Sequence, residues 1–168
     1  MLTKSRYYIY SVIIFVLIML AVFFYYQTYS LNSLYSFHKA DLNMSGLCSP
    51  NMPSFVIYYA DSCKSCASTV SSFQNVTSLF GLWGNKTFYS GYFCAWEFNI
   101  SAYNNNLTTN LPDSAVSVFN QIGIDRVPLI VFNGKYYKVG GFANNQTAYN
   151  DILKYICLSI NESLPQCN

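Results

Sequence analysis

Charge is scarce in this sequence: nine basic and seven acidic residues stand among 168, for a formal net charge of +2. With no basic run and no base-stacking motif, that excess is too small for a nucleic-acid partner. There is one histidine, His38, and no second C-x-x-C, so a zinc site with its four ligands has no ready donor set. Phosphate-cradling glycine loops, a nucleophile elbow and paired carboxylates are missing as well, and no segment repeats. Apolar residues are abundant, at 52% of the chain with 18% aromatic, which excludes a disordered tail.

The apolar excess is concentrated. Residues 7–26 read YYIYSVIIFVLIMLAVFFYY, with Ser11 the only non-aromatic polar side chain. As a helix this run reaches roughly 30 Å, the thickness of a bilayer core. A cleaved secretory signal would have a shorter apolar stretch followed by small residues, whereas Phe23, Phe24, Tyr25 and Tyr26 occupy that place. Lys4 and Arg6 precede the run and the first full charge after it is Lys39, a pattern that favours a cytoplasmic N-terminus. The expectation is a single-pass membrane protein: residues 1–6 cytoplasmic, 7–26 a transmembrane signal-anchor in the lipid bilayer, 27–50 a polar tether, and 51–168 an extracytoplasmic domain.

Two features of the segment after residue 26 fit an oxidising compartment. All six cysteines lie there, Cys48, Cys63, Cys66, Cys94, Cys157 and Cys167. So do N-x-S/T glycosylation acceptors at Asn43, Asn75, Asn85, Asn99, Asn106, Asn145 and Asn161, although an Asn-rich chain produces some of these by chance.

The pattern of elements begins with Ser54–Ala60 (SFVIYYA), a short β-branched and aromatic run that reads as a strand buried on both faces. Asp61 and Ser62 cap a helix expected to begin at Cys63, with Cys66, Val70, Phe73, Val76 and Phe80 on one stripe. Residues 86–98 have strand composition. A second helix opens at Leu111-Pro112-Asp113 and stops at Gly123. Leu129–Phe132, the Asn133-Gly134 turn and Lys135–Val139 form a hairpin, Gly140-Gly141 breaks it, and a helix from about Thr147 to Ile160 closes the domain. The order is β, α, β, α, β, β, α.

With Cys63-Lys64-Ser65-Cys66 at the first strand–helix junction, Val127-Pro128 before the third strand and Gly140 or Gly141 after the fourth, the sequence resembles the thioredoxin-like family over roughly residues 54–160. The resemblance implies an α/β thioredoxin-like fold with a central mixed sheet of about four strands flanked by helices. It implies a protein thiol-disulfide oxidoreductase with Cys63 and Cys66 as the catalytic pair, Pro128 in cis, and Val127 and Pro128 binding substrate. The chemistry needs an attacking thiolate and a resolving thiol one helical turn away. A cysteine at a helix N-terminus has its pKa lowered, and Lys64 acts in the same direction as a tuning residue. One departure is notable: the buried acid that the family carries six residues before the first cysteine is replaced by Ile57, leaving Glu97 or water to move the proton.

Cys157 and Cys167 flank the end of the last helix and are expected to form a structural disulfide, with Cys48 and Cys94 a pair by elimination; Cys94 could instead exchange with the active pair. No cofactor beyond the redox-active disulfide and no metal is expected. The expected partners are extracytoplasmic proteins with thiols or disulfides, a redox partner that recycles the cysteine pair, and no nucleic acid. Oxidation or isomerisation is favoured over reduction. The alternative is a non-catalytic thioredoxin-like module that binds or chaperones other proteins.

Overall fold

The computed structural model describes residues 2–101, 112–123, 126–160 and 164–167, and in its first helix the side chains of residue 10 and residues 12–27. The chain divides into two compact units, Met1–Leu34 and Tyr35–Asn168. The first is helix α1, Leu2–Tyr35. Among the described residues no helix is long and apolar enough to cross a membrane. This corrects the expectation of a membrane-spanning segment at 7–26 and, with it, the single-pass localisation.

The second unit is α/β. Its strands are β1 (Phe37–Lys39), β2 (Ser54–Tyr59), β3 (Leu82–Trp83), β4 (Thr87–Tyr89), β5 (Cys94–Asn99), β6 (Leu129–Phe132) and β7 (Tyr136–Val139). They form one sheet in the order β1-β7-β6-β2-β5-β4-β3. Only β2 and β5 run parallel; every other neighbouring pair is antiparallel.

Among the described residues the expectation of about four strands is therefore corrected to seven. Two segments make the difference. Within 27–50, Phe37 stacks on Tyr155 at 3.7 Å between ring centroids, and His38 stacks on Tyr137, so β1 extends the sheet beside β7. At the other edge the run taken as one strand over 86–98 is two strands, β4 and β5, joined by a tight turn in which the Ser90 hydroxyl accepts from the Tyr92 and Phe93 amides; β3 pairs outside them.

Helices α2 (Cys66–Thr77), α3 (Asp113–Ile122) and α4 (Asn145–Ser159) cover the sheet, and a 3-10 turn, Pro165–Cys167, follows. Strand β2 shows why. Its residues 54–58 are all buried, as a strand covered on both faces requires. Phe55 and Ile57 pack with Phe73 and Val76 of α2 and Ile152 and Ile156 of α4, whereas Val56 and Tyr58 pack with Ala115 and Val118 of α3. The Tyr58 hydroxyl donates to the Ala115 carbonyl at 2.8 Å, satisfying the polar end of a buried ring.

Asn133 and Gly134 both take positive φ (49° and 68°), the conformation of a two-residue hairpin turn between β6 and β7. The turn is held from outside, because the Leu42 amide donates to the Gly134 carbonyl at 3.0 Å. A Cβ at Gly134 would collide with the Leu42 carbonyl. Gly134→Ala is expected to lower stability by about 1–3 kcal/mol, combining left-handed strain with overpacking. Urea denaturation measures this, and a loss under about 0.5 kcal/mol would contradict it.

Candidate active site

Strand β2 ends at Tyr59, and the chain turns through Ala60–Ser65 before α2 begins at Cys66. The turn is pinned from β5. The Asn99 side-chain amide donates to the Asp61 carboxylate at 2.8 Å, and the Asp61 amide donates to the Ser101 hydroxyl at 2.9 Å. Asp61 is thus committed to the sheet, which is why it does not cap a helix beginning at Cys63. The helix starts three residues later with Ser65 at its N-cap, and no side-chain hydrogen bond caps it.

The Ser65 hydroxyl instead stands 3.7 Å from Cys63 Sγ. Cys63 precedes the first helical turn and its amide donates to the Ala60 carbonyl, while the Cys66 amide donates back to the Cys63 carbonyl. The two cysteines are joined in a disulfide, with Cα atoms 5.3 Å apart. Their exposures differ: Cys63 is half-buried and Cys66 is 2% exposed. An incoming group therefore meets the first sulfur.

The Val127–Pro128 peptide is cis, and the Val127 carbonyl oxygen lies 3.6 Å from Cys63 Sγ. The Gly140 amide donates to the Pro128 carbonyl at 2.7 Å, and Gly140 has φ +84°. Gly141 has another function. A Cβ there would stand 2.9 Å from Ser65 Cβ, so only glycine lets this backbone approach the turn between the cysteines. The sequence left the choice between Gly140 and Gly141 open, and the structure uses each for a separate purpose. Lys64, between the cysteines, is exposed.

The remaining cysteines form Cys48–Cys94 and Cys157–Cys167, with Cα separations of 6.1 and 5.6 Å, inside the range a disulfide spans. Cys94 is fully buried and pairs in register with Ser54 at the opposite end of β2 from the Cys63 turn. That strand alone separates them by about 17 Å, so Cys94 is out of reach of exchange with the pair. Among the described residues no group of three or more His, Cys, Asp or Glu side chains could hold a metal ion.

Of the glycosylation acceptors, Asn43, Asn75, Asn85 and Asn145 are exposed. Asn99 is half-buried with its amide given to Asp61. Asn106 and Asn161 lie outside the described residues.

Two charged side chains are buried among the described residues, Glu97, which the sequence named only as a proton carrier, and Lys138, which it did not mark. Lys138 on β7 is 3% exposed, and Glu97 on β5 is 7% exposed. Glu97 is in register with Ile57 and so shares its face of the sheet. Its carboxylate accepts from the Gln74 side-chain amide of α2 at 2.6 Å. Gln74 lies two turns along the helix from Cys66, so the bond holds Glu97 toward the last turn of α2. Burial raises the Glu97 pKa, opposed by the Gln74 hydrogen bond and by the charge of Lys86.

No protein-family model matches the chain, and no curated protein matches it in sequence.

A carboxyl group whose pKa is higher folded than unfolded favours the fold while protonated, and loses that contribution as pH rises through the folded value. Glu97→Gln is therefore expected to stabilise the protein at neutral pH, with the difference vanishing below the carboxylate range. Thermal melts from pH 4 to 8 check this; a variant less stable than the parent at pH 7 would contradict it.

Proposed function

We propose that this chain is a protein thiol-disulfide oxidoreductase of the thioredoxin-like type, working through Cys63 and Cys66. The observation that carries the reading is the asymmetry of the pair: a reachable Cys63 and a buried Cys66 in one disulfide, with the Val127 carbonyl 3.6 Å from the reachable sulfur. An inert staple has no need of that asymmetry.

In the oxidising direction, a substrate thiolate attacks Cys63 Sγ, the Cys63–Cys66 bond breaks, and Cys66 leaves as the thiolate. A second substrate thiolate then attacks the substrate sulfur of the mixed disulfide and expels Cys63. The substrate gains a disulfide, and the enzyme pair is left reduced by two electrons until a recycling disulfide partner reoxidises it. Isomerisation uses the same mixed disulfide, entered by reduced Cys63.

Cys63 is a good leaving group because its thiolate sits ahead of α2, whose first-turn amides have no side-chain cap. Lys64 adds positive charge beside it. Val127 and Pro128 form the adjoining wall, where an extended substrate segment can pair with the Val127 backbone as an added strand. Ile57 occupies the place of the family's buried acid and is 0% exposed, which removes the proton acceptor that would favour reductase turnover. Oxidation and isomerisation are the directions this supports.

A Cys66→Ala variant leaves the mixed disulfide unresolved. It is expected to accumulate covalent adducts through Cys63, whose thiolate attacks a disulfide of a mispaired substrate protein such as scrambled ribonuclease and expels a substrate thiolate, and to lose turnover. Mass spectrometry of non-reduced samples reads the adducts. Absence of adducts from a folded variant, with no turnover by the parent chain, would replace this reading with a non-catalytic binding module.

A further inference from the structure

The Cys48–Cys94 disulfide shows the same division of access as the pair at the candidate site. Cys48 is half-buried and Cys94 is fully buried, whereas Cys157 and Cys167 are both half-buried. The reachable sulfur borders a cleft of about 710 Å³ whose lining includes Met44, Pro50, Met52, Pro53 and Asn133. We infer that Cys48–Cys94 is a second exchange site, at which a small uncharged thiol forms a reversible mixed disulfide with Cys48. This goes beyond the oxidoreductase reading and does not depend on it, because Cys94 lies at the opposite end of β2 from the Cys63 turn.

The buried sulfur has partners for the open state. The Trp96 indole N–H donates to Cys94 Sγ at 3.3 Å, and such a hydrogen bond strengthens when the sulfur becomes a thiolate. The Leu47 carbonyl stands 3.9 Å from the same sulfur, placed to accept from it once it is protonated. A sulfur released into the core without such partners would carry the full cost of desolvation. The chain around the pair is also held without the bond. Leu47 is 3% exposed in the cluster with Val56, Tyr58 and Val131, and the Cys94 amide donates to the Pro53 carbonyl at 3.0 Å. Opening the disulfide therefore leaves the two sulfurs near each other, and the bond can form again.

The cleft sets what can enter. Its volume is that of a small-molecule site, and among the described residues no ionised side chain lines it. A thiol compound bearing a charged group would lose hydration there without gaining a partner. In the exchange a small thiolate attacks Cys48 Sγ, the Cys48–Cys94 bond breaks, and Cys94 leaves as the thiolate beside Trp96. Return attack by Cys94 on Cys48 expels the small thiolate and restores the disulfide. Where a second small thiolate instead attacks the outer sulfur of the adduct, Cys48 leaves as the thiolate. The small thiols are then oxidised to their own disulfide, and the protein pair is reduced by two electrons.

The test uses the whole chain with Cys63→Ser and Cys66→Ser, so that its outcome is separate from any activity of that pair. Mercaptoethanol is added at neutral pH, the reaction is quenched with acid, and free thiols are alkylated after unfolding. Peptide mapping without reduction is expected to find the mercaptoethanol adduct on Cys48 and the free thiol on Cys94, formed at a rate that low urea leaves unchanged. At matched thiolate concentration, mercaptoethanesulfonate should open the bond about two- to fivefold more slowly. Trp96→Phe keeps an aromatic ring but removes the donor, and should slow opening of Cys48–Cys94 about two- to tenfold while Cys157–Cys167 opens as before. An adduct on Cys94, opening that climbs steeply with urea, equal rates for the two thiols, or a Trp96→Phe chain whose Cys48–Cys94 bond opens as fast as the parent's would each overturn the site.

Discussion

Strand β2 is hydrogen-bonded on both sides, parallel to β5 and antiparallel to β6, and it is covered on both faces by helices. Everything at the candidate site is placed relative to its C-terminal end. The chain leaving β2 must turn at once, and it is caught by Asn99 at the end of β5 and Ser101 just beyond it. The chain entering β6 arrives beside it through Val127–Pro128. The hydrogen bond from the Gly140 amide to the Pro128 carbonyl ties the end of β7 to the same place. Three strands thus hold a sulfur, a carbonyl and a glycine backbone within one side chain's length of each other, and rigid elements set such positions better than loops do.

This arrangement divides the two sulfurs by access. Cys66, at the start of α2, is sealed by the core, and Cys63, one turn earlier, remains at the surface. The other two disulfides serve different ends of the fold. Cys48–Cys94 fastens the segment after β1 to the start of β5, far from the turn, and Cys157–Cys167 ties the C-terminal 3-10 turn to α4. Buried charge is distributed in a similar way. Glu97 is held by Gln74 in the last turn of α2, whereas Lys138 borders a cleft beside Ser65.

What the sequence revealed follows the range of the signal. Asn133-Gly134 and the Gly123 stop are local, each needing only positive φ, and they read directly. The C-x-x-C at a strand–helix junction is local too. Strand β1 is three residues, Phe-His-Lys, with no alternation; it exists because Phe37 finds Tyr155 across a long sequence separation. Strand β3 was hidden for the same reason, as was the break between β4 and β5, both being fixed by pairing at the sheet edge. The start of α2 shifted from Cys63 to Cys66 because Asp61 prefers Asn99 to the helix. Lys138 carried no pattern at all, since only the register with Phe37 and Ile130 brings it to the face of the cleft beside Ser65. The apolar run near the N-terminus gave the strongest composition signal and one of the expectations that had to be corrected.

The central claim is that Cys63 and Cys66 are the exchanging pair and that Cys63 is the sulfur others meet. Limiting dithiothreitol at neutral pH, followed by iodoacetamide and peptide mapping, tests it on the whole chain. The account predicts that this disulfide opens before the other two, that label appears on Cys63 first, and that Cys66 is labelled only on unfolding. First opening of Cys48–Cys94 or Cys157–Cys167, or earlier labelling of Cys66, would contradict it.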